Sequence, residues 1–192
     1  MIQSLKNVCI FGMGLMGTSL AYSLKKHDNF NGKITGIVRT TKSKEWIVKQ
    51  KLADEVYLAD THNLESIIKR TDFLIIGLPV LDAIDLIEKL VNWRYEGLIT
   101  DMCSTRFELE KKIREKEQKF RLRFVGSHPM CGSEVSGPEG YVKDLYINKL
   151  CILINKLSKE DQEDRSKRRI KSYRNFLERN WYEDFILRCR KS

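Results

Sequence analysis

The 192-residue sequence has no apolar run approaching the roughly 20 residues a membrane span needs, so no membrane association is expected. Its five cysteines, Cys9, Cys103, Cys131, Cys151 and Cys189, are scattered and form no C-x-x-C pair. An odd, unpaired set argues for reduced thiols and a cytoplasmic setting. Cys9 and Cys151 stand in apolar, strand-like runs and read as small core residues. The N-terminus runs directly into a strand pattern and lacks the layout of a secretory signal. No cluster of His, Cys, Asp and Glu has metal-ligand spacing, so no metal is expected. There is no G-x-S-x-G elbow and no Walker lysine, which sets aside serine hydrolysis and P-loop chemistry. Neither an internal repeat nor a low-complexity segment is present.

Charge is unevenly placed. The net charge is +9, and residues 156–192 hold 12 Lys/Arg against 7 Asp/Glu. This basic tail carries no recognised nucleic-acid motif, so a solvated charged face is preferred to a nucleic-acid partner. The milder excess of the remaining chain suits an anionic cofactor and an anionic substrate. From Ser158 to Arg169 no residue is apolar, so this stretch cannot form the buried face of a helix. Beyond it Tyr173, Leu177, Trp181 and Phe185 recur every four residues, enough for one amphipathic helix.

Upstream, apolar runs alternate with helical periodicity. Strands are expected at Val8–Phe11, Ile34–Val38, Glu55–Tyr57, Phe73–Gly77, Gly97–Asp101, Phe124–Gly126 and Leu150–Ile154. Helices are expected at Leu15–Lys26, Ser43–Lys51, Leu64–Lys69, Leu81–Val91 and Thr105–Gln118. This alternation predicts a doubly wound, Rossmann-type α/β domain with a parallel sheet over residues 1–155. A short, basic, partly helical tail over 156–192 follows it as an appendage, not a second domain. The run at Phe73 is continuous rather than alternating, as expected of a strand buried on both faces.

The first strand ends in Gly12-x-Gly14-x-x-Gly17, and a periodic segment follows at once. In such a turn the first glycine permits a tight bend. The second lets backbone approach a pyrophosphate, and the third lets helix pack close on strand. Leu15 and Met16 then begin a helix whose N-terminus points unpaired N–H groups at the phosphates. Strand, glycine turn and helix in this order predict a bound NAD or NADP. At the second strand's end, where NAD enzymes usually carry an acid, stand Val38, Arg39 and the hydroxyls of Thr40, Thr41 and Ser43. A guanidinium and hydroxyls suit a 2′-phosphate, so NADP is expected ahead of NAD. Pro79 ends the fourth strand and is placed against the nicotinamide half, a plain strand terminator being the alternative.

Two further segments begin where apolar strands end: Asp101-Met-Cys-Ser104 and Gly126-Ser-His-Pro-Met-Cys-Gly-Ser-Glu134. Of three histidines, His27 and His62 lie in polar surroundings, and His128 alone stands at a predicted strand's carboxyl end. Pro129, Gly126 and Gly132 make its segment a stiff loop. An imidazole there can exchange a proton with a substrate hydroxyl near neutral pH. Ser104 is positioned to bond either that histidine or the substrate.

The glycine turn, Asp101-x-x-Ser104, and above all Gly126-Ser-His-Pro-Met-x-Gly-Ser-Glu134 resemble the prephenate and arogenate dehydrogenases of tyrosine biosynthesis, over about residues 5–155. The resemblance implies that His128 takes the proton of the substrate's ring 4-hydroxyl. Hydride leaves the same carbon for the nicotinamide, and loss of carboxylate makes the ring aromatic. It implies that Ser104 contacts the same hydroxyl and that Ser133 belongs to the substrate site. Arg106 stands where the family usually has lysine, and Cys131 where it often has alanine. The family continues into a helical domain that forms a dimer and supplies an arginine for the substrate's carboxylates. Residues 156–192 do not match that domain, which leaves the oligomeric state open. They imply a truncated product with an out-of-frame tail, or a shortened relative with another role, and in either case a poor catalyst. Two alternatives remain: a β-hydroxyacid dehydrogenase, against which the Gly-Ser-His-Pro-Met run argues, and a non-catalytic NADP-binding remnant.

Overall fold

A computed structural model of the chain describes residues 6–28 and 30–154. The expected tail helix lies outside them. Seven strands form one sheet in the order β3-β2-β1-β4-β5-β6-β7. They are β1 (Asn7–Phe11), β2 (Lys33–Val38), β3 (Glu55–Leu58), β4 (Phe73–Ile76), β5 (Leu98–Asp101), β6 (Arg123–Pro129) and β7 (Cys151–Ile154). Strands β1 to β6 pair in parallel. The order reverses between β1 and β4, which opens a crevice at their carboxyl ends.

Alternation along β1 explains why the sheet is covered on both sides. Val8 and Ile10 face one layer with Leu20 and Leu24 of α1 (Leu15–Lys26) and Ile47 of α2 (Thr41–Lys49). Cys9 and Phe11 face the other. There they meet α3 (Leu64–Lys69), Leu86, Ile87 and Leu90 of α4 (Val80–Asn92), and Leu109 and Ile113 of α5 (Phe107–Glu117). Each such aliphatic side chain, fully buried, contributes about 1.5–3 kcal/mol of transfer free energy. All four residues of β4 are buried, in keeping with their unbroken apolar run. Cys9 is buried as expected, whereas Cys151 is only half-buried.

Several elements differ from the sequence expectation, among them α5, which starts at Phe107 rather than Thr105. Helix α2 starts two residues early, because the Thr40 hydroxyl caps it by accepting the N–H of Ser43 at 3.2 Å. Strand β6 runs on to Pro129 instead of stopping at Gly126. Strand β7 joins it antiparallel, pairing Gly126 with Ile154 and His128 with Ile152. The connection between them carries no covering helix, only a 3₁₀ turn at Pro138–Gly140, and a parallel return requires a crossover, usually helical.

That connection crosses back over α1. The Tyr146 hydroxyl donates to the Met16 carbonyl at 2.7 Å, and the Val142 N–H donates to Ser19 Oγ at 2.9 Å. The Tyr141 ring sits 5.6 Å from that of Tyr22 and 5.8 Å from that of Trp46. No described helix is long and apolar enough to cross a membrane.

Helix α4 offers a direct check of the layer assignment. Ile87 is 0% exposed and Leu81 is 71% exposed. Ile87→Ala is expected to cost about 2–5 kcal/mol in urea unfolding. Leu81→Ala should stay within about 0.5 kcal/mol. Similar losses from both would mean that α4 is rotated from the orientation described.

Candidate functional site

The glycine turn is built by backbone meeting backbone. Gly12 has φ +97°, and a Cβ placed on it would lie 2.4 Å from the Gly77 carbonyl oxygen at the end of β4. A Cβ on Gly17 would lie 2.4 Å from the carbonyl oxygen of Gly12. These two glycines are therefore explained by the protein's own packing. Gly14 is not: a Cβ there would meet nothing within 4 Å. Its missing side chain leaves backbone open to the crevice, the arrangement a phosphate group requires. Gly14 is also the N-cap of α1, with no side-chain cap and no acid in the first turn. The N–H groups of Leu15, Met16 and Gly17 thus lack intrahelical acceptors and carry the positive end of the helix dipole.

From this turn a groove of about 580 Å³ runs between the ends of β2 and β4, lined by Gly12, Gly14, Arg39, Thr40, Ser43 and Pro79 among others. Asp82, Asp85 and Lys89 of α4 line its far wall, and Gly137 and Pro138 reach it from the β6–β7 connection. Arg39 is exposed. The Thr40 hydroxyl is already engaged, bonding Ser43 Oγ at 2.9 Å besides capping α2. Pro79 does more than end a strand, for it is the N-cap residue of α4 at φ −54°.

The groove unites Gly12, Gly14, Arg39, Thr40 and Pro79, with Leu15, Met16 and Gly17 in the adjoining first turn of α1. Ser104, His128 and Ser133 are not part of its lining. Ser104 follows the end of β5, His128 lies in the last residues of β6, and Ser133 comes four residues beyond that strand. Ser104 and Ser133 are exposed, and Ser133 Oγ accepts the Val135 N–H at 3.3 Å. His128 is partly buried inside β6 rather than in a loop beyond it, because β7 extends the pairing past it.

Beneath these residues lies a group to which the sequence assigned no role. Asp101 is 0% exposed. Its carboxylate accepts the Cys103 N–H at 2.9 Å, the Ser127 N–H at 3.1 Å, and a hydrogen bond from Arg106 Nη1. Burial pushes the Asp101 carboxyl up, while the Arg106 guanidinium and the two amides oppose that push. The signal available was an acid closing an apolar strand with an arginine five residues on. Burial, reinforced by the Asp101 charge, pushes the Cys103 thiol up to about 12, which leaves it a poor nucleophile.

A doubly wound sheet with a glycine turn and an uncapped helix at its switch point defines a nucleotide-binding domain of the Rossmann class. The chain belongs to the prephenate dehydrogenase family, whose nucleotide-binding domain matches residues 20–180. It is 33% identical to prephenate dehydrogenase of Bacillus subtilis over 158 residues, 80% of this chain and 40% of the relative. It is 27% identical to that of Lactococcus lactis over 164 residues, 83% of this chain and 42% of the relative. The chain therefore spans well under half the length of these two relatives. It is also similar to the crystal structure of prephenate dehydrogenase from A. aeolicus in complex with hydroxyphenyl propionate and NAD+. There the TM-score is 0.74 at 29% identity, covering 95% of this chain and 58% of that one.

The different environments of the glycines yield a stability test. Gly12→Ala, at positive φ and against Gly77, is expected to lose on the order of 1–3 kcal/mol. Gly14→Ala should unfold within about 0.5 kcal/mol of the wild type. Urea midpoints for the two variants check this, and a Gly14→Ala loss as large as that of Gly12→Ala would contradict the open crevice.

Proposed function

We propose that this chain is the dinucleotide-binding part of an NADP-dependent dehydrogenase that oxidatively decarboxylates prephenate or arogenate. The observation that carries the reading is Gly14, open to the crevice at an uncapped helix N-terminus in a member of this family. The N–H groups of Leu15, Met16 and Gly17 hold the pyrophosphate, with Gly12 shaping the turn. Arg39 and the Ser43 hydroxyl take the 2′-phosphate, and Thr40 fixes Ser43 by capping α2. Arginine in place of an acid at the end of β2 favours NADP over NAD, because a carboxylate there repels the added phosphate. Pro79 flanks the nicotinamide half. The NAD+ held by the A. aeolicus relative supports a nicotinamide dinucleotide without deciding between the two.

A bound nicotinamide supplies the hydride acceptor. His128 takes the proton from the ring hydroxyl of the substrate as the hydroxyl carbon is oxidised, and Ser104 orients that hydroxyl. Ser133 lies further along the same segment and contacts the substrate. The electron pair released with carbon dioxide completes the aromatic ring. In domain terms, we assign the nucleotide-binding unit to residues 1–155; residues 156–192 lie outside those the structure describes. The proposed setting is cytoplasmic, with a small anionic substrate as partner.

Two measurements test this reading. Fluorescence titration should give tighter binding of NADP than of NAD, by roughly 10–100-fold if one charge-assisted contact is gained. Arg39→Ala should remove most of the difference, and equal wild-type affinities would defeat the NADP assignment. In a turnover assay with prephenate and with arogenate, His128→Asn is expected to lose about 10²–10⁴-fold in rate. Its cofactor affinity should not change. Near-full turnover by that variant would return His128 to a structural role.

A further inference from the structure

The parallel ladder between β5 and β6 ends at Thr100 paired with Val125. Beyond it the two strand ends are joined by side chains. Asp101 Oδ1 accepts the N–H of Ser127, the residue immediately before His128, at 3.1 Å. Asp101 Oδ2 accepts the N–H of Cys103, the residue immediately before Ser104, at 2.9 Å. Ser127 Oγ donates to the Asp101 carbonyl, and Thr100 Oγ1 donates to the Val125 carbonyl at 2.8 Å. Arg106 Nη1 closes the unit, bonding Asp101 Oδ2 and, at 3.4 Å, the Ser127 carbonyl. One buried carboxylate thus grips the backbone next to both side chains assigned to the chemistry.

We propose that Asp101, held by Arg106, is a positioning residue that fixes Ser104 and His128 relative to one another for proton transfer. The proposal rests on the roles given to those two residues above. Stability alone is a poor reason for this ion pair, since an apolar replacement of a buried pair is often neutral or stabilising. Arg106 Nε is paired only at 3.7 Å with Glu110 Oε1, and Nη2 is buried without a hydrogen-bond partner, so the guanidinium is aimed at Asp101 and Ser127 at the expense of its own remaining donors. Geometry is a better one: a misplacement of about 1 Å at a reacting group can cost 10²-fold in rate.

The test uses the full chain with Asp101→Asn and Arg106→Gln, each alone and combined with His128→Asn. Asp101→Asn is expected to lower kcat on the order of 10²-fold with KM for NADP unchanged. In the His128→Asn background the same change should cost little more, because Asp101 acts through His128. Losses that multiply in the double variant would overturn the proposal. If Asp101→Asn does not fold, Arg106→Gln carries the same comparison, since it removes the charge that holds Asp101.

A second readout does not depend on turnover. The chain has three histidines, so their ring resonances can be assigned by substitution and followed by NMR. Asp101→Asn should shift the His128 resonances and leave those of His27 and His62 in place. An unmoved His128 signal overturns the positioning role even in an active enzyme. A wild type that binds neither NADP nor NAD overturns the proposed function instead, and where turnover is too slow to compare variants the resonances decide the case of Asp101 alone.

Discussion

The Gly77 carbonyl, just beyond β4, occupies the space that a side chain on Gly12 would need, and the Gly12 carbonyl does the same to Gly17. This double exclusion brings β1, β4 and the start of α1 together through backbone alone. The reversal of strand order falls at the same place, so the sheet's crevice and the helix's unpaired N–H groups share one origin. Were either contact relaxed by a methyl group, α1 would have to move away from the sheet. Leu20 and Leu24 would leave the layer built on Val8 and Ile10. The binding geometry and one half of the core therefore depend on the same few atoms.

Much of the architecture was legible because two periodicities are cleanly written. The unbroken Phe73–Ile76 run is buried on both faces, and α3 has the bounds its periodicity implies. The misses in β6 and β7 share a cause, which is a partner that local pattern does not contain. Strand β6 was expected to stop at Gly126 because glycine, serine and proline punctuate it. The antiparallel β7 supplies hydrogen bonds that override that punctuation and carry His128 into the sheet. At α2 the local signal was present but assigned elsewhere, since the Thr40 hydroxyl that suits a phosphate is also a helix cap.

The candidate site divides along similar lines. The phosphate-binding half is contiguous in sequence, so strand, glycines and helix identify it together. The other half is assembled from two strand ends, and its organising group is Asp101, whose Ser127 partner lies 26 residues away. Motif reading places Ser104 and His128 at strand ends. It gives no sign that one carboxylate spans the gap between them, because hydrogen bonds to backbone N–H groups leave no mark on residue identity.

The β6–β7 connection bears on the order in which the domain is assembled. Helix α1 is fastened to it by hydrogen bonds spanning 123 and 130 residues of sequence, from Val142 to Ser19 and from Tyr146 to Met16. Contacts of such long range form only after a large loop-closure entropy has been met. During synthesis the glycine turn leaves the ribosome early, yet its helix acquires this fastening only once Tyr146 has emerged. The first-made part of the nucleotide site is thus among the last to be secured.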